Sequence, residues 1–187
     1  MKLSFVTSNR HKYEEVKDIL SEFGIDVVWK NIELPEPEGE IDSIAKAKAK
    51  HAAETLKSPA AVDDTGVFFE AYNNFPGPNP KFVFNGIGYE GIMRLLKGKS
   101  RKAYFRTAVG YCEPGKKPVV FDGVMKGEIT EEVFDKEKDV LPYMRIFVAE
   151  GHDNVISSIP AEEKNRISHR AKAFRKLGEF LKNKQEK

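Results

Sequence analysis

Thr7, Ser8, Asn9 and Lys12 follow a short apolar run and precede a helical period. At such a strand-to-helix junction the free backbone N–H groups and the positive helix end attract an anion, and Lys12 adds a full charge. The same polar residues would also serve as ordinary helix caps. The stretch is not a P-loop, because the glycines and the Gly-Lys-Ser/Thr ending are missing. Asp63-Asp64-Thr65-Gly66 follows a small-residue run at 60–62 that suits the end of a buried strand, with the acidic loop containing Glu36 expected beside it. Successive strand residues point to opposite faces, so Asp63 and Asp64 share one partner only if the chain has already turned there, with Gly66 in the turn. Two carboxylates leaving an apolar run are costly if unpaired, a cost a divalent metal relieves. Magnesium suits a sparse carboxylate set, since it takes oxygen ligands, keeps waters and bridges phosphates. Lys164-Asn165 and Ser168-His169-Arg170 form the third group. Ser168 as a cap exposes N–H groups, and cations in the first turn oppose the helix dipole unless an anion sits there. An ordinary solvated helix start is the plainer reading of this third group, as caps and a turn are of the other two; the one ligand to which all three groups point is a polyphosphate with magnesium.

The elements that must position these groups are legible from periodicity. Residues 2–7 read as a strand, followed by a helix with Val16, Ile19, Leu20 and Phe23 on its apolar face and Gly24 at its end. A second strand spans 25–29, an acidic, proline-punctuated loop 33–40, and an alanine-rich helix 41–56; the small-residue strand 60–62 follows. This β-α-β-α-β order predicts an α/β fold that binds ligands at strand ends. The prolines and glycine of 75–80 predict a loop, then a helix over 89–96 closed by Gly98. Residues 102–112 and 117–128 predict two long strands joined through Pro114-Gly115 and building a second lobe. A short strand at 146–149, a helical turn opened by Pro160 and a last helix capped by Ser168, with Ala171, Phe174, Leu177 and Leu181 inward, complete the chain.

Bulk composition narrows the function classes. The 187 residues suffice for one large domain or two packed lobes without staples. Cys112 is the single cysteine, so no intrachain disulfide or zinc-type Cys/His pattern exists. The 31 basic and 29 acidic residues give a net charge of +2, too weak a field to argue for nucleic acid as a partner. No apolar run near the start is long enough for a signal-peptide core or a membrane span, which gives the expectation of a soluble, cytoplasmic protein.

Thr7-x-Asn9-x-x-Lys12, Asp63-Asp64-Thr65-Gly66, Phe75-Pro76-Gly77-Pro78 and Glu163-Lys164-Asn165-x-x-Ser168-His169-Arg170 occur in an order and spacing that resembles the inosine triphosphate pyrophosphatase family, which clears dITP and XTP from nucleotide pools. The resemblance spans nearly the whole chain. It implies an elongated mixed central sheet with helices on its faces, residues 1–187 forming one domain of two lobes with the active site in a cleft between them, and a homodimer. It implies hydrolysis of dITP, ITP or XTP to the monophosphate and pyrophosphate with Mg2+. Carried over residue by residue, Asp64, Asp63 and Lys12 are catalytic, and Glu36 and Asp64 hold the metal. Thr7, Ser8, Asn9, Lys12, Thr65, Lys164, Ser168, His169 and Arg170 bind substrate, with His169 and Arg170 reading the oxo group of a 6-oxopurine. Glu15 matches an acidic family position near Lys12.

The chain departs from the family pattern in two places. Leu141-Pro142-Tyr143-Met144-Arg145 stands where the family has Phe-Gly-Tyr-Asp-Pro, so Leu141 replaces a base-stacking aromatic and Met144 an aspartate. A lost base stack is worth about 1–3 kcal/mol, and Tyr143 and Arg145 are the side chains that could take it over. After Phe75-Pro76-Gly77-Pro78 the family's Tyr-Ser-Ala-like continuation gives way to Asn79-Pro80-Lys81-Phe82, where Lys81 reads as a surface residue. These changes motivate two alternatives: the same hydrolysis with another base, or a nucleotide-binding module without turnover.

Overall fold

Strands and helices account for most of the chain. The computed structural model describes residues 1–35 and 37–185, so Glu36 lies outside the described residues. In chain order the elements are β1 (Lys2–Val6), α1 (Arg10–Ser21), β2 (Asp26–Lys30), α2 (Ile41–Leu56), β3 (Ala60–Phe69), β4 (Phe75–Gly77), α3 (Pro80–Leu95), β5 (Lys102–Cys112), β6 (Val119–Ile129), β7 (Phe147–Ala149), α4 (Ala161–Ile167) and α5 (His169–Gln185). The strands form a seven-stranded mixed sheet in the order β2-β1-β3-β5-β6-β7, with β4 paired to β3. β1 runs parallel to both β2 and β3, whereas β4 is antiparallel to β3 and β7 to β6.

The chain divides into two units, the first comprising Met1–Thr65, Thr107–Gly123 and Ser168–Lys187, the second Gly66–Arg106 and Val124–Ile167. In the first unit Leu3, Phe5 and Ala61 face α1 and α5, meeting Val16, Ile19, Leu20, Phe174 and Leu177 in one fully buried cluster. Each such leucine or phenylalanine contributes about 1.5–3 kcal/mol by leaving water. Phe5 and Phe174 meet edge to face at 5.3 Å. The alternate residues Ala60 and Val62 pack on Ala49, Ala52 and Ala53 of α2. In the second unit Val67, Phe69, Phe105, Met125 and Phe147 enclose a separate core with Ile92 and Leu96.

The structure corrects several sequence expectations. The buried strand does not stop at Val62 but runs on to Phe69, so Asp63-Asp64-Thr65-Gly66 lies within β3 and not in a turn. Gly66 is there because of space: a Cβ would come within 2.5 Å of the Phe68 ring and 2.7 Å of the Gly77 carbonyl oxygen. The proline-rich segment supplies a real strand, β4, paired antiparallel to β3. α3 begins at Pro80, an N-terminal position where a missing N–H costs nothing, and is interrupted at Gly88 (φ 58°, ψ −166°). The expected helix over 89–96 is only its second half. The long strands β5 and β6 are shared between units instead of building one of them, because 107–123 belongs to the first unit.

Candidate active site

The first unit brings most of the chemically capable side chains together. Asn9 caps α1 as expected: its Oδ1 accepts the Lys12 N–H at 3.3 Å, and its own N–H donates to Thr7 Oγ1 at 3.1 Å. The first turn of α1 holds no acid and carries Arg10, His11 and Lys12. Ser8 is exposed. A turn of this polarity, with cations at the positive helix end, is stabilised by an anion.

Asp63 and Asp64 diverge because they are neighbours on a strand. Asp63 points toward α1 and α5, where Lys12 Nζ donates to its Oδ1 at 3.1 Å and Arg170 Nε to its Oδ2 at 3.1 Å. The second arm of the guanidinium, Nη1, donates to Glu15 Oε2 at 2.6 Å. Thr65 Oγ1 reaches Asp63 Oδ2 at 3.4 Å and meets Thr107 Oγ1 at 2.8 Å. Burial alone would raise the Asp63 pKa, but Lys12 and Arg170 together outweigh it and hold the carboxyl at about 2. Asp64 points toward α2, where Lys48 Nζ donates to its Oδ1 at 2.9 Å. Its Oδ2 is buried with no hydrogen-bond partner. Burial pushes this carboxyl above its ordinary value of 3.8, opposed chiefly by Lys48. One carboxylate is thus fully engaged and firmly ionised, and its neighbour is partly bare and easier to protonate. That division suits a positioning group beside a general base.

The start of α5 lies in the same unit. Ser168 Oγ accepts the Ala171 N–H at 3.1 Å, the expected cap. Gly123 allows this end of the helix to sit close to β6, since a Cβ there would meet the His169 carbonyl oxygen at 2.0 Å. Burial, then the Arg170 charge, hold His169 well below 6.5, so its ring is neutral at pH 7. Arg170 Nη2 is buried without a hydrogen-bond partner. Lys164 is placed on α4 in the second unit and is partly buried.

Two residues of this cluster escape the sequence reading. Lys48 is buried among Ile44, Ala45, Ala49 and Ala52 on the inward face of α2, so helical spacing alone marks it as a lysine at a core position. Thr107 is fully buried in β5 and carries no sequence signal of its own. In the second unit the two candidate substitutes for a base stack are already engaged. Tyr143 is a core residue whose hydroxyl donates to the Pro80 carbonyl at 3.2 Å, with its pKa pushed up to about 12 by burial. Arg145 donates from Nη2 to the Lys138 carbonyl and from Nη1 to Tyr89 Oη at 3.4 Å. Leu141 is exposed, Met144 packs against the core, and Lys81 lies on the surface.

Among the described residues no group of three His, Cys, Asp or Glu side chains converges to hold a metal ion. The bare, buried Asp64 Oδ2 nevertheless fits magnesium, which is commonly held by one or two carboxylates, its waters and substrate phosphates.

The ionised Asp63 has a measurable consequence for stability. Its folded pKa lies below the ordinary 3.8, so its contribution is complete above that value and is lost as pH falls toward about 2. The contribution is on the order of 2 kcal/mol. Denaturant midpoints followed from pH 5 to pH 2 are expected to fall more steeply in the parent than in Asp63→Asn, and equal slopes would contradict the assignment.

A mixed α/β sheet with an anion-attracting strand-to-helix turn and two diverging carboxylates defines a protein of the phosphate-handling α/β class. Comparison with known proteins makes this specific: the Ham1 family profile matches residues 3–180, and the chain belongs to the Ham1 family. The chain is 44% identical to the dITP/XTP pyrophosphatase of Methanopyrus kandleri, covering 98% of this chain and 97% of that one. It is 41% identical to the dITP/XTP pyrophosphatase of Methanosarcina mazei, covering 92% of each. Among solved structures it is similar to a HAM1 protein from Coxiella burnetii, with a TM-score of 0.81 at 26% identity, covering 98% of this chain and 99% of that one. No helix among the described residues is long and apolar enough to cross a membrane.

Proposed function

We propose that this protein hydrolyses non-standard purine nucleoside triphosphates, dITP, ITP and XTP, to the monophosphate and pyrophosphate in a magnesium-dependent reaction. The observation that carries this reading is the division of labour on β3. Asp63 is locked between Lys12 and Arg170, while Asp64 keeps a bare buried oxygen and a raised pKa beside Lys48. The relatives named dITP/XTP pyrophosphatase support the substrate class.

In this scheme the turn of Thr7, Ser8 and Asn9 holds the phosphates, with Lys12 reaching from the first turn of α1 and Thr65 adding a hydroxyl. A water oxygen bonds to the α-phosphorus, the α–β bridging bond breaks in line, and pyrophosphate leaves with the bonding pair. Asp64 orients the water and takes its proton, and Lys48 moderates the rise in its pKa. Lys12 offsets the charge that develops on the departing pyrophosphate. Asp64 and Glu36 would hold magnesium, which would supply neutralisation of phosphate charge and orientation of the triphosphate. An N–H of neutral His169 and the unpartnered Arg170 Nη2 donate to a 6-oxo oxygen and disfavour the 6-amino group of adenine, with Lys164 as a further substrate contact. The protein acts in the cytoplasm as a homodimer; Phe75, Phe82 and Ile87 of the second unit are exposed apolar side chains that an assembly could bury.

One observation favours a second reading with the same chemistry. Leu141 replaces the aromatic, and Tyr143 and Arg145 are committed elsewhere, so this stretch offers no aromatic stack to a purine. Release of pyrophosphate versus orthophosphate, measured with magnesium across dITP, XTP, ATP, GTP, dCTP and dUTP, separates the two. Pyrophosphate preferentially from dITP and XTP, abolished by EDTA, is the expected result. Preference for another base would establish altered specificity, and no release from any would overturn the enzymatic reading in favour of a binding module.

A further inference from the structure

We propose that Trp29 is a positioning residue for the phosphate-holding turn at 7–12 and that its indole reports occupancy of that turn. The proposal rests on the reading above that this turn holds the triphosphate.

Trp29 is the single tryptophan of the chain. It lies on β2 opposite Phe5 of β1 and is 39% exposed, so its ring is open to a change in its surroundings at the surface. Its Nε1–H donates to the Thr7 carbonyl at 2.7 Å. The next residue of the same strand, Lys30, accepts the Thr7 N–H at 3.0 Å. Both backbone groups of Thr7 are therefore held by consecutive residues of β2. From Thr7 the connections continue to Lys12: Thr7 Oγ1 accepts the Asn9 N–H, and Asn9 Oδ1 accepts the Lys12 N–H. The indole ring also stacks on Tyr13, the residue after Lys12, with centroids 5.4 Å apart and planes 14° from parallel.

One side chain thus grips the turn at both ends, by a hydrogen bond at Thr7 and by a ring stack at Tyr13. Thr7 C=O and Ser8 N–H belong to one planar trans peptide and point in opposite directions. Fixing the carbonyl on the indole therefore fixes the Ser8 N–H on the far side of that plane, as a donor that need not reorient when an anion arrives. Preorganised donors bind without an ordering cost. Phenylalanine or leucine at 29 could cover Tyr13 but could not hold the carbonyl.

The test uses the intact protein and Trp29→Phe, which keeps a smaller aromatic ring over Tyr13 and removes the donor. In the parent, titration with inorganic tripolyphosphate, which has no base to stack or quench, is expected to change tryptophan emission saturably, with the same constant at which it inhibits dITP hydrolysis. In Trp29→Phe the KM for dITP is expected to rise about 2- to 10-fold, the range for one neutral hydrogen bond, with kcat within about twofold of the parent. Emission that ignores tripolyphosphate at inhibitory concentrations would overturn the proposal. So would an unchanged KM in Trp29→Phe, including a variant that only melts earlier. Should Trp29→Phe fail to fold, the emission titration of the parent still decides. A protein that hydrolyses no triphosphate yet responds in emission to tripolyphosphate would overturn the proposed function and keep this inference, so the two failures are distinguishable.

Discussion

Asp64→Asn is expected to lower kcat for dITP by about 10²- to 10⁴-fold, the range for removing a general base, while the far-UV circular dichroism of the protein stays that of the parent. The amide keeps the size of the carboxylate and can still accept the Lys48 ammonium at the position of Oδ1. It cannot take a proton from water, and it offers a metal a neutral oxygen or an NH2 group in place of the bare Oδ2. The pH profile gives an independent reading. Burial raises the Asp64 pKa above 3.8 in the metal-free protein, and magnesium at Oδ2 would oppose that rise, so the acid limb of kcat/KM should move to lower pH as magnesium is raised. Lys48→Met removes the chief influence that lowers this pKa and should shift the limb to higher pH. Turnover by Asp64→Asn within tenfold of the parent would remove Asp64 from the role of base. Asp63→Asn cannot mimic the effect through proton transfer, because a carboxyl held at about 2 by two cations is a weak acceptor.

How far this site could be read from the sequence depended on the distance over which each feature acts. α2 was legible over Ile41–Leu56 because its apolar period is local, and α5 because Ser168 and its inward apolar residues announce it. Asp63-Asp64 was legible as a pair that diverges if the strand continues, since strand alternation is also local. That the strand does continue was not legible. Gly66 reads as a turn residue until the backbone of β4 is known to pass so close that only glycine fits. The same non-local pairing hid β4 inside a proline-rich segment. Lys48 was legible in principle, as a lysine in an alanine face, but its partner Asp64 lies on another element. The contact between Arg170 and Glu15 spans 155 residues, and no spacing rule connects them. The resemblance to a family nominated the candidate residues; the geometry shows which of them touch.

Arg170→Met is expected to destabilise the protein by about 3–5 kcal/mol, the usual consequence of removing one partner from a buried ion pair. For a chain of this size that lowers Tm by roughly 6–20 °C, measured by calorimetry or circular dichroism. The side chain of Arg170 is 5% exposed and that of Asp63 1%, so neither finds water when the other is removed. Arg170→Lys should recover little, because one ammonium cannot reproduce a fork that donates from Nε to Asp63 and from Nη1 to Glu15. Asp63→Asn combined with Arg170→Met should cost less than the sum of the two, since the second change no longer strands a charge. A melting temperature for Arg170→Met within about 2 °C of the parent would show that the network contributes nothing to stability. The other cation on Asp63 behaves differently for a physical reason: Lys12 is 20% exposed and its ammonium sits on a flexible stem. In the proposed scheme the triphosphate draws Lys12 away while Arg170 keeps Asp63 neutralised. Asp63 thus carries one cation held in a buried fork and one on a flexible, partly exposed stem, and the Arg170 variant tests the first while leaving Lys12 in place.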